Sequence, residues 1–254
     1  MLAWEKIKSM EEMKRAAGIA AADFIESGMI VGLGTGSTVF YFINRLIERV
    51  QEGLEIQVVS SSLRSENQAK DGGIPIVDVN AITSIHITVD GADEIDPEKR
   101  MIKGGGGALL REKILANTSR EMIVIVDESK VVEKLGNHPL PVEILPFGRE
   151  ATIDKIKKLG FQGSLRKYNN NGPYVTDNGN LIYDIHFEAL RDDPESDHEK
   201  LIRVPGVLET GFFFNLAGRV LIGKQNGEVD HRSWNLYNEG KSLRGKDGTY
   251  SGSV

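Results

Sequence analysis

Apolar residues in positions 8–26 recur at helical spacing, and residues 29–33 (MIVGL) form a short apolar run that ends near glycine, the pattern of a helix followed by a buried strand. After the loop GTGST, residues 39–50 again show helical periodicity. Residues 56–60 (IQVVS) read as a strand, 66–70 as a helix, and 74–79 and 85–89 as two more strands. A further helix starts near Gly107, and 122–126 (MIVIV) is an apolar strand. Strands that alternate with helices predict parallel βαβ units, covered on both faces.

Beyond about residue 130 the pattern changes. The stretch LPVEILPF precedes a helix near 149–159. A strand, turn and strand then follow, with DNGN as the turn and Leu181, Tyr183, Ile185 and Phe187 alternating along the second strand. These features predict a small α+β insertion over 132–206. Strong strand patterns return at 207–214 and 219–223, where the chain is expected to rejoin the first unit, and 224–254 reads as a polar, glycine-rich tail without periodicity.

At 254 residues, 40% apolar and 27% charged, the chain has the composition of a soluble globular protein, and a net charge of -6 argues against nucleic acid or an anionic membrane as its main partner. The absence of cysteine removes disulfides, thiolate zinc sites and cysteine nucleophiles together. Residues 1–15 are too charged for the core of a signal peptide, and no apolar run approaches the roughly 20 residues of a bilayer span. A cytoplasmic chain is the expectation.

Three loops carry candidate chemistry. GLGTGST, 32–38, joins a strand to a helix, so converging backbone N–H groups and a helix N-terminus suit a phosphate. A Walker A loop would need Lys-Ser/Thr after the last glycine. A dinucleotide site would need a third glycine where Ser37 or Thr38 stands, and an acidic residue where the next strand ends in Ser60, Ser61 and Ser62. What remains is a loop with the hydroxyls of Thr35, Ser37 and Thr38, suited to a small phosphate ester.

VDGADEID, 89–96, brings Asp90, Asp93, Glu94 and Asp96 to the end of an apolar strand, where open α/β sheets place ligands. Oxygen ligation of a hard metal is one reading, although the spacing is not that of an EF-hand; recognition of sugar hydroxyls is another, and a solvated acidic turn is the plain structural one. The third loop opens KGGGGALLREKI, 103–114. On a helical wheel Ala108 and Ala116 lie about 40° from Glu112, and Leu109 and Leu115 about 60°, so the carboxylate projects from an apolar arc. Desolvation there raises its pKa, as a general base requires; pairing with Lys113 or Arg149 is the structural alternative. The glycines, having no Cβ, let backbone N–H groups approach a ligand, and Lys103 supplies a cation beside them, so the loop can stabilise an oxyanion. Together the loops suggest proton abstraction next to a carbonyl.

These motifs, with MIK before the glycines, DESK at 127–130, PLPVEILP at 139–146 and VTDNGN at 175–180, follow one another as in type A ribose-5-phosphate isomerases, and the sequence resembles that family over most of residues 14–223. The resemblance implies a Rossmann-like main domain with a parallel-rich sheet, formed by 1–131 and 207–254, and a smaller inserted α+β domain. It also implies interconversion of D-ribose 5-phosphate and D-ribulose 5-phosphate in the non-oxidative pentose phosphate pathway, without metal or organic cofactor, in a homodimer or homotetramer. It makes Glu112 the proton-shuttling base and Asp90 and Asp93 the acidic residues at the sugar, with Asp90 assisting ring opening. Lys103 becomes the lysine of the glycine loop. Thr35, Gly36, Ser37, Thr38, Gly91, Ala92, Gly104, Gly105, Gly106 and Lys130 become substrate contacts, and Lys14 falls near the phosphate. Ser65 stands where the family is expected to have Thr, a change that keeps the hydroxyl.

Two rival classes remain in view. A sugar-phosphate sensor needs the phosphate loop but no base, and would carry a helix-turn-helix for which the stretch before the first strand is short. A related amino-sugar-phosphate isomerase or deaminase, or a CoA transferase, would share the fold. The five histidines, 86, 138, 186, 198 and 231, lack metal spacing and read as structural or surface residues.

Overall fold

The computed structural model describes residues 3–168 and 172–233. Its frame is a six-stranded sheet built from β1 (Ile30–Leu33), β2 (Gln57–Ser60), β3 (Ile85–Asp90) and, further along the chain, β6 (Ser119–Asp127), β12 (Ala217–Gly223) and β13 (Val229–Ser233), in the order β13-β12-β6-β3-β1-β2. All neighbours run parallel except the edge pair β12–β13. The α/β architecture with a parallel-rich sheet expected from the pattern is thus observed. The apolar run MIVIV explains why β6 is central: Ile123 and Ile125 face one core and Met122, Val124 and Val126 the other.

Helices α1 (Ala3–Ala22) and α2 (Ser37–Gln51) cover the first face. Val39, Phe42, Ile43 and Leu46 of α2 recur at i, i+3, i+4 and i+7, and all four are buried in that core. The helix α3 (Leu63–Asp71) packs beside α2 and begins with Ser62, whose hydroxyl accepts the Ser65 N–H at 3.3 Å. On the opposite face lie α4 (Leu109–Thr118) and a small sheet of β4 (Glu94–Ile95), β5 (Met101–Ile102) and β11 (Phe212–Phe213).

A third core forms around the antiparallel sheet β10-β7-β9-β8, from β7 (Leu140–Ile144), β8 (Gly163–Leu165), β9 (Leu181–Ile185) and β10 (Val207–Thr210), with α5 (Arg149–Lys158) and α6 (Pro194–Ile202) packed on it. Among the described residues no helix is long and apolar enough to cross a membrane.

Four local expectations change. Residues 74–79 form no strand: Pro75 lacks an N–H, and the segment makes one parallel bridge to Val58 through the Pro75 carbonyl and Val77 N–H. Residues 207–214 are not one strand: Gly211 divides them into β10, which pairs with β7 of the second sheet, and β11, which pairs with β5 of the first unit. The DNGN turn closes only a single bridge, Val175 to Leu181, and the partners of β9 are β7 and β8, so Ile182 is as buried as its alternating neighbours. Finally, 224–254 is not a structureless tail throughout, because 229–233 form the edge strand β13. An edge strand needs one partner and one packed side chain, here Val229, which leaves little periodicity to read. The remainder of that stretch, 234–254, lies outside the described residues, as do 169–171 of the predicted insertion.

Candidate active site

The C-terminal ends of three neighbouring parallel strands set the site. β1 runs into the loop 34–36, β3 ends on Asp90, and β6 ends on Asp127. The helix after β1 is capped by Gly36, which offers no side-chain acceptor, so the first N–H groups of α2 are left open, in contrast to the Ser62-capped α3. A cavity of about 160 Å³ opens there. It is lined by Thr35, Gly36, Ser37 and Thr38, by Gly91, Ala92 and Asp93, by Lys103, Gly104, Gly105, Gly106 and Glu112, and by Lys14 and Lys130. Residues from five separate stretches of sequence therefore meet in one place.

Asp90 is the exception: it is fully buried and stands behind the lining, not in it. Its Oδ1 accepts the N–H groups of Thr35 at 3.1 Å and Gly91 at 2.8 Å, and its Oδ2 lies 2.8 Å from Lys103 Nζ. Lys103, also buried, reaches Glu112 Oε2 at 3.3 Å and donates to the Gly91 carbonyl at 2.5 Å. One ammonium thus sits between two buried carboxylates.

Burial pushes the Glu112 carboxyl up, the Asp90 charge adds to this, and Lys103 opposes both; the result is a pKa of about 8. Asp90 is likewise raised by burial, against the pull of Lys103. For Lys103 burial works downward, but Asp90 and then Glu112 outweigh it, so the amine stays a cation. A single cation neutralises one carboxylate of the pair, and the other is poised to hold a proton near neutral pH. The alternative partners of Glu112 are occupied elsewhere: Lys113 with Glu209 at 2.8 Å and Arg149 with Glu150 at 3.1 Å.

The four glycines now have a physical reason. Gly104 and Gly107 adopt φ of +100° and +82°, values that L side chains rarely take, and these reversals carry the loop over the cavity before α4 starts. Gly105 donates its N–H to Asp93 Oδ2 at 2.7 Å. The acidic stretch divides accordingly. Asp90 and Asp93 serve the site, whereas Glu94 accepts the Gly136 and His138 N–H groups and Asp96 binds Arg100. Two of the four carboxylates needed for the metal reading are spent on structure, and no group of three metal-ligating side chains forms among the described residues.

Several contacts were not visible in the sequence pattern. Thr35 directs its hydroxyl to Ser61 and Ser62, at 2.8 and 2.9 Å, and Ser65 keeps its hydroxyl on the Gly34 carbonyl at 2.7 Å. Lys14 is held by Glu11 at 2.9 Å, and Tyr41 donates to the same carboxylate at 2.6 Å. Asp127 also lines the cavity, buried, with Oδ1 accepting the Ser129 N–H at 3.0 Å. The rule that singles out Asp90, a carboxylate closing a central parallel strand, applies equally to Asp127. Arg166 and Tyr174 reach the glycine loop from the other sheet, and no sequence signal marks them.

A buried lysine and carboxylate pair beside an uncapped helix N-terminus has the chemistry of an enzyme site for a small anionic molecule. The chain belongs to the ribose 5-phosphate isomerase A (phosphoriboisomerase A) family, whose model matches residues 57–227. It is 54% identical over 214 residues to ribose-5-phosphate isomerase A of Protochlamydia amoebophila, covering 84% of this chain and 92% of that one. To the Bacillus mycoides protein of the same name it is 48% identical over 218 residues, covering 86% and 98%. Among solved structures, ribose 5-phosphate isomerase from Plasmodium falciparum superposes with a TM-score of 0.86 at 36% identity, over 89% of this chain and all of that one. A D-ribose-5-phosphate isomerase in complex with phospho-erythronic acid superposes with a TM-score of 0.84 at 39% identity, over 89% and 99%.

Proposed function

We propose that this chain interconverts D-ribose 5-phosphate and D-ribulose 5-phosphate by proton transfer through a cis-enediolate, with Glu112 as the shuttling base. The observation that carries the reading is the buried Glu112 carboxyl, pushed up to about 8 and 3.3 Å from the Lys103 ammonium in the lining of one cavity. Its oxygen Oε2 is buried and faces the Lys103 ammonium, so a proton carried there stays beside the cation.

In this mechanism the phosphate sits at the open N-terminus of α2, near Ser37 and Thr38, with Lys14 and Lys130 adding positive charge. Opening of the furanose breaks the bond between C1 and the ring oxygen; the proton of the anomeric hydroxyl leaves and the ring oxygen gains one. Asp93, the acidic side chain that faces the cavity, accepts the proton of the anomeric hydroxyl and delivers it to the ring oxygen, while Asp90 stays behind Lys103 and holds it in place. Glu112 then removes the proton from C2, charge develops on O1, and Lys103 with the glycine amides stabilises it. Glu112 returns the proton to C1 as the O2 hydroxyl proton passes to O1, leaving the ketose. One carboxyl serves both carbons because they are adjacent, and a pKa near neutrality lets it act in both directions.

The relative solved with phospho-erythronic acid, a phosphorylated carboxylic acid, supports an anion at each end of the occupant. The combination of Lys103 and Glu112 favours isomerisation over a sensor, which has no use for a buried base. Placement in the pentose phosphate pathway of the cytoplasm, and action as a homodimer or homotetramer, belong to the same reading; the fully exposed Phe147, at 93%, beside the partly exposed Leu145, is consistent with a further copy of the chain. The test is incubation of EDTA-treated protein with ribose 5-phosphate in D₂O, followed by NMR. The expected result is ribulose 5-phosphate carrying solvent deuterium. Absence of conversion while ribose 5-phosphate still binds would favour the sensor.

A further inference from the structure

Arg166 lies just past β8, on the four-stranded sheet, and lines no part of the cavity. Asp184 of β9 grips its guanidinium twice, Nε to Oδ2 at 2.8 Å and Nη2 to Oδ1 at 2.6 Å. A fork gripped this way has its remaining nitrogen aimed in a fixed direction. That nitrogen, Nη1, donates to the carbonyls of Gly104 at 3.0 Å and Gly105 at 3.1 Å. Tyr174 completes the row, its hydroxyl donating to the Gly106 carbonyl at 3.3 Å. Three successive carbonyls of the glycine loop are therefore held by two side chains, Arg166 and Tyr174, from beside the other sheet.

The consequence follows from peptide planarity. In a trans peptide the carbonyl and the next N–H point in opposite directions. With the Gly104 carbonyl on Arg166, the Gly105 N–H must point the other way, and it does so, to Asp93 in the cavity lining. With the Gly105 carbonyl on the same nitrogen, the Gly106 N–H is turned to that side as well, and Gly106 is itself a lining residue. Glycine peptides have no side chains to hold this orientation, and free rotation would dilute it.

We infer that Arg166, locked by Asp184, is a positioning residue for the isomerisation: it sets the Gly105–Gly106 peptide so that its N–H meets the oxygen that gains charge in the enediolate. This rests on the enediolate reading above. A guanidinium that merely ties two sheets together would affect folding, and would weaken all ligands alike if it affected them at all. A positioning residue acts on the charge-bearing end of the substrate and spares the phosphate end.

The experiment compares the full-length wild type with Arg166→Met, Arg166→Lys and Asp184→Asn. It measures kcat and KM for ribose 5-phosphate, and the Kd for phospho-erythronic acid and for inorganic phosphate by calorimetry. Loosening one oxyanion donor is expected to lower kcat about 10- to 100-fold in Arg166→Met, with KM changed by no more than about threefold. Phospho-erythronic acid, whose carboxylate presents fixed negative charge, should bind at least about tenfold more weakly, and phosphate as before. Arg166→Lys and Asp184→Asn should fall between, because each keeps part of the fork. If Arg166→Met does not fold, as judged by circular dichroism, these two variants decide by the same criteria. Unchanged kcat, or equal weakening of phosphate and phospho-erythronic acid, overturns the inference. A wild type without isomerase activity overturns the enediolate reading instead, and the two binding constants still report whether Arg166 organises one end of the site.

Discussion

Glu112→Gln removes the proposed base while retaining its shape, and the amide oxygen can still face the Lys103 ammonium. Substrate binding should therefore change little, and the loss should appear in kcat. A positioned general base contributes about 10²- to 10⁴-fold, so a loss on the order of 10³ is expected where the wild-type carboxyl is ionised. The pKa of about 8 sharpens this expectation. At pH 7 only about a tenth of the wild-type molecules carry the ionised base, so the ratio of wild type to variant should shrink to roughly 10² there. Wild-type kcat/KM should climb about tenfold per pH unit below 8 and level above it, whereas the residual activity of the variant should be flat. Ketose formation followed by NMR across pH 6 to 9 reads all of this. Turnover of the variant within about tenfold of wild type at pH 8, or a wild-type profile already level at pH 6, would remove Glu112 as the base and move the role to Asp93 or Asp90.

The same carboxyl couples stability to pH. Because its pKa rises from 4.5 to about 8 on folding, the folded chain holds a proton that the unfolded chain has lost between those values, and stability falls as pH rises through that window. Glu112→Gln lacks this loss, so its unfolding free energy relative to wild type should increase by a few kcal/mol between about pH 5 and pH 8.5, read by urea titration of both proteins; a constant difference contradicts the shift. Gly107→Ala places a Cβ at φ +82° and 2.3 Å from the Tyr174 hydroxyl. It should cost roughly 1–3 kcal/mol in urea unfolding and lower turnover by displacing the loop, and full stability with full activity would show that the reversal at Gly107 is not required.

Much of the site could be read from residue types at strand ends. Parallel strands bring their C-terminal loops to one edge, so GTGST after β1 and DGAD at the end of β3 share that edge once the βαβ pattern is recognised, and the strand order then makes them neighbours. The arc of Ala and Leu around Glu112 foretold a buried carboxylate, because helical spacing is local. What could not be read was the division of labour among like residues. Asp90 and Asp93 differ by three positions, yet one lies behind Lys103 and the other in the cavity lining. Glu94 and Asp96 leave the site because their partners lie elsewhere: the Gly136 and His138 amides come from the stretch before β7, and Arg100 from the turn after β4.

By itself, then, the sequence determined the alternation of helices and strands, the glycine-rich loops, and the presence of one candidate base, one lysine and one candidate anion loop. All of these depend on neighbours within a few residues. The tertiary structure decided that Lys103 stands between two carboxylates, that residues 207–210 join the second sheet, that 229–233 close the edge of the first, and that Arg166 reaches back some sixty residues to the glycine loop. Charge interactions and hydrogen bonds of this kind depend on distance in space and on burial, and both are set only when the whole chain has packed.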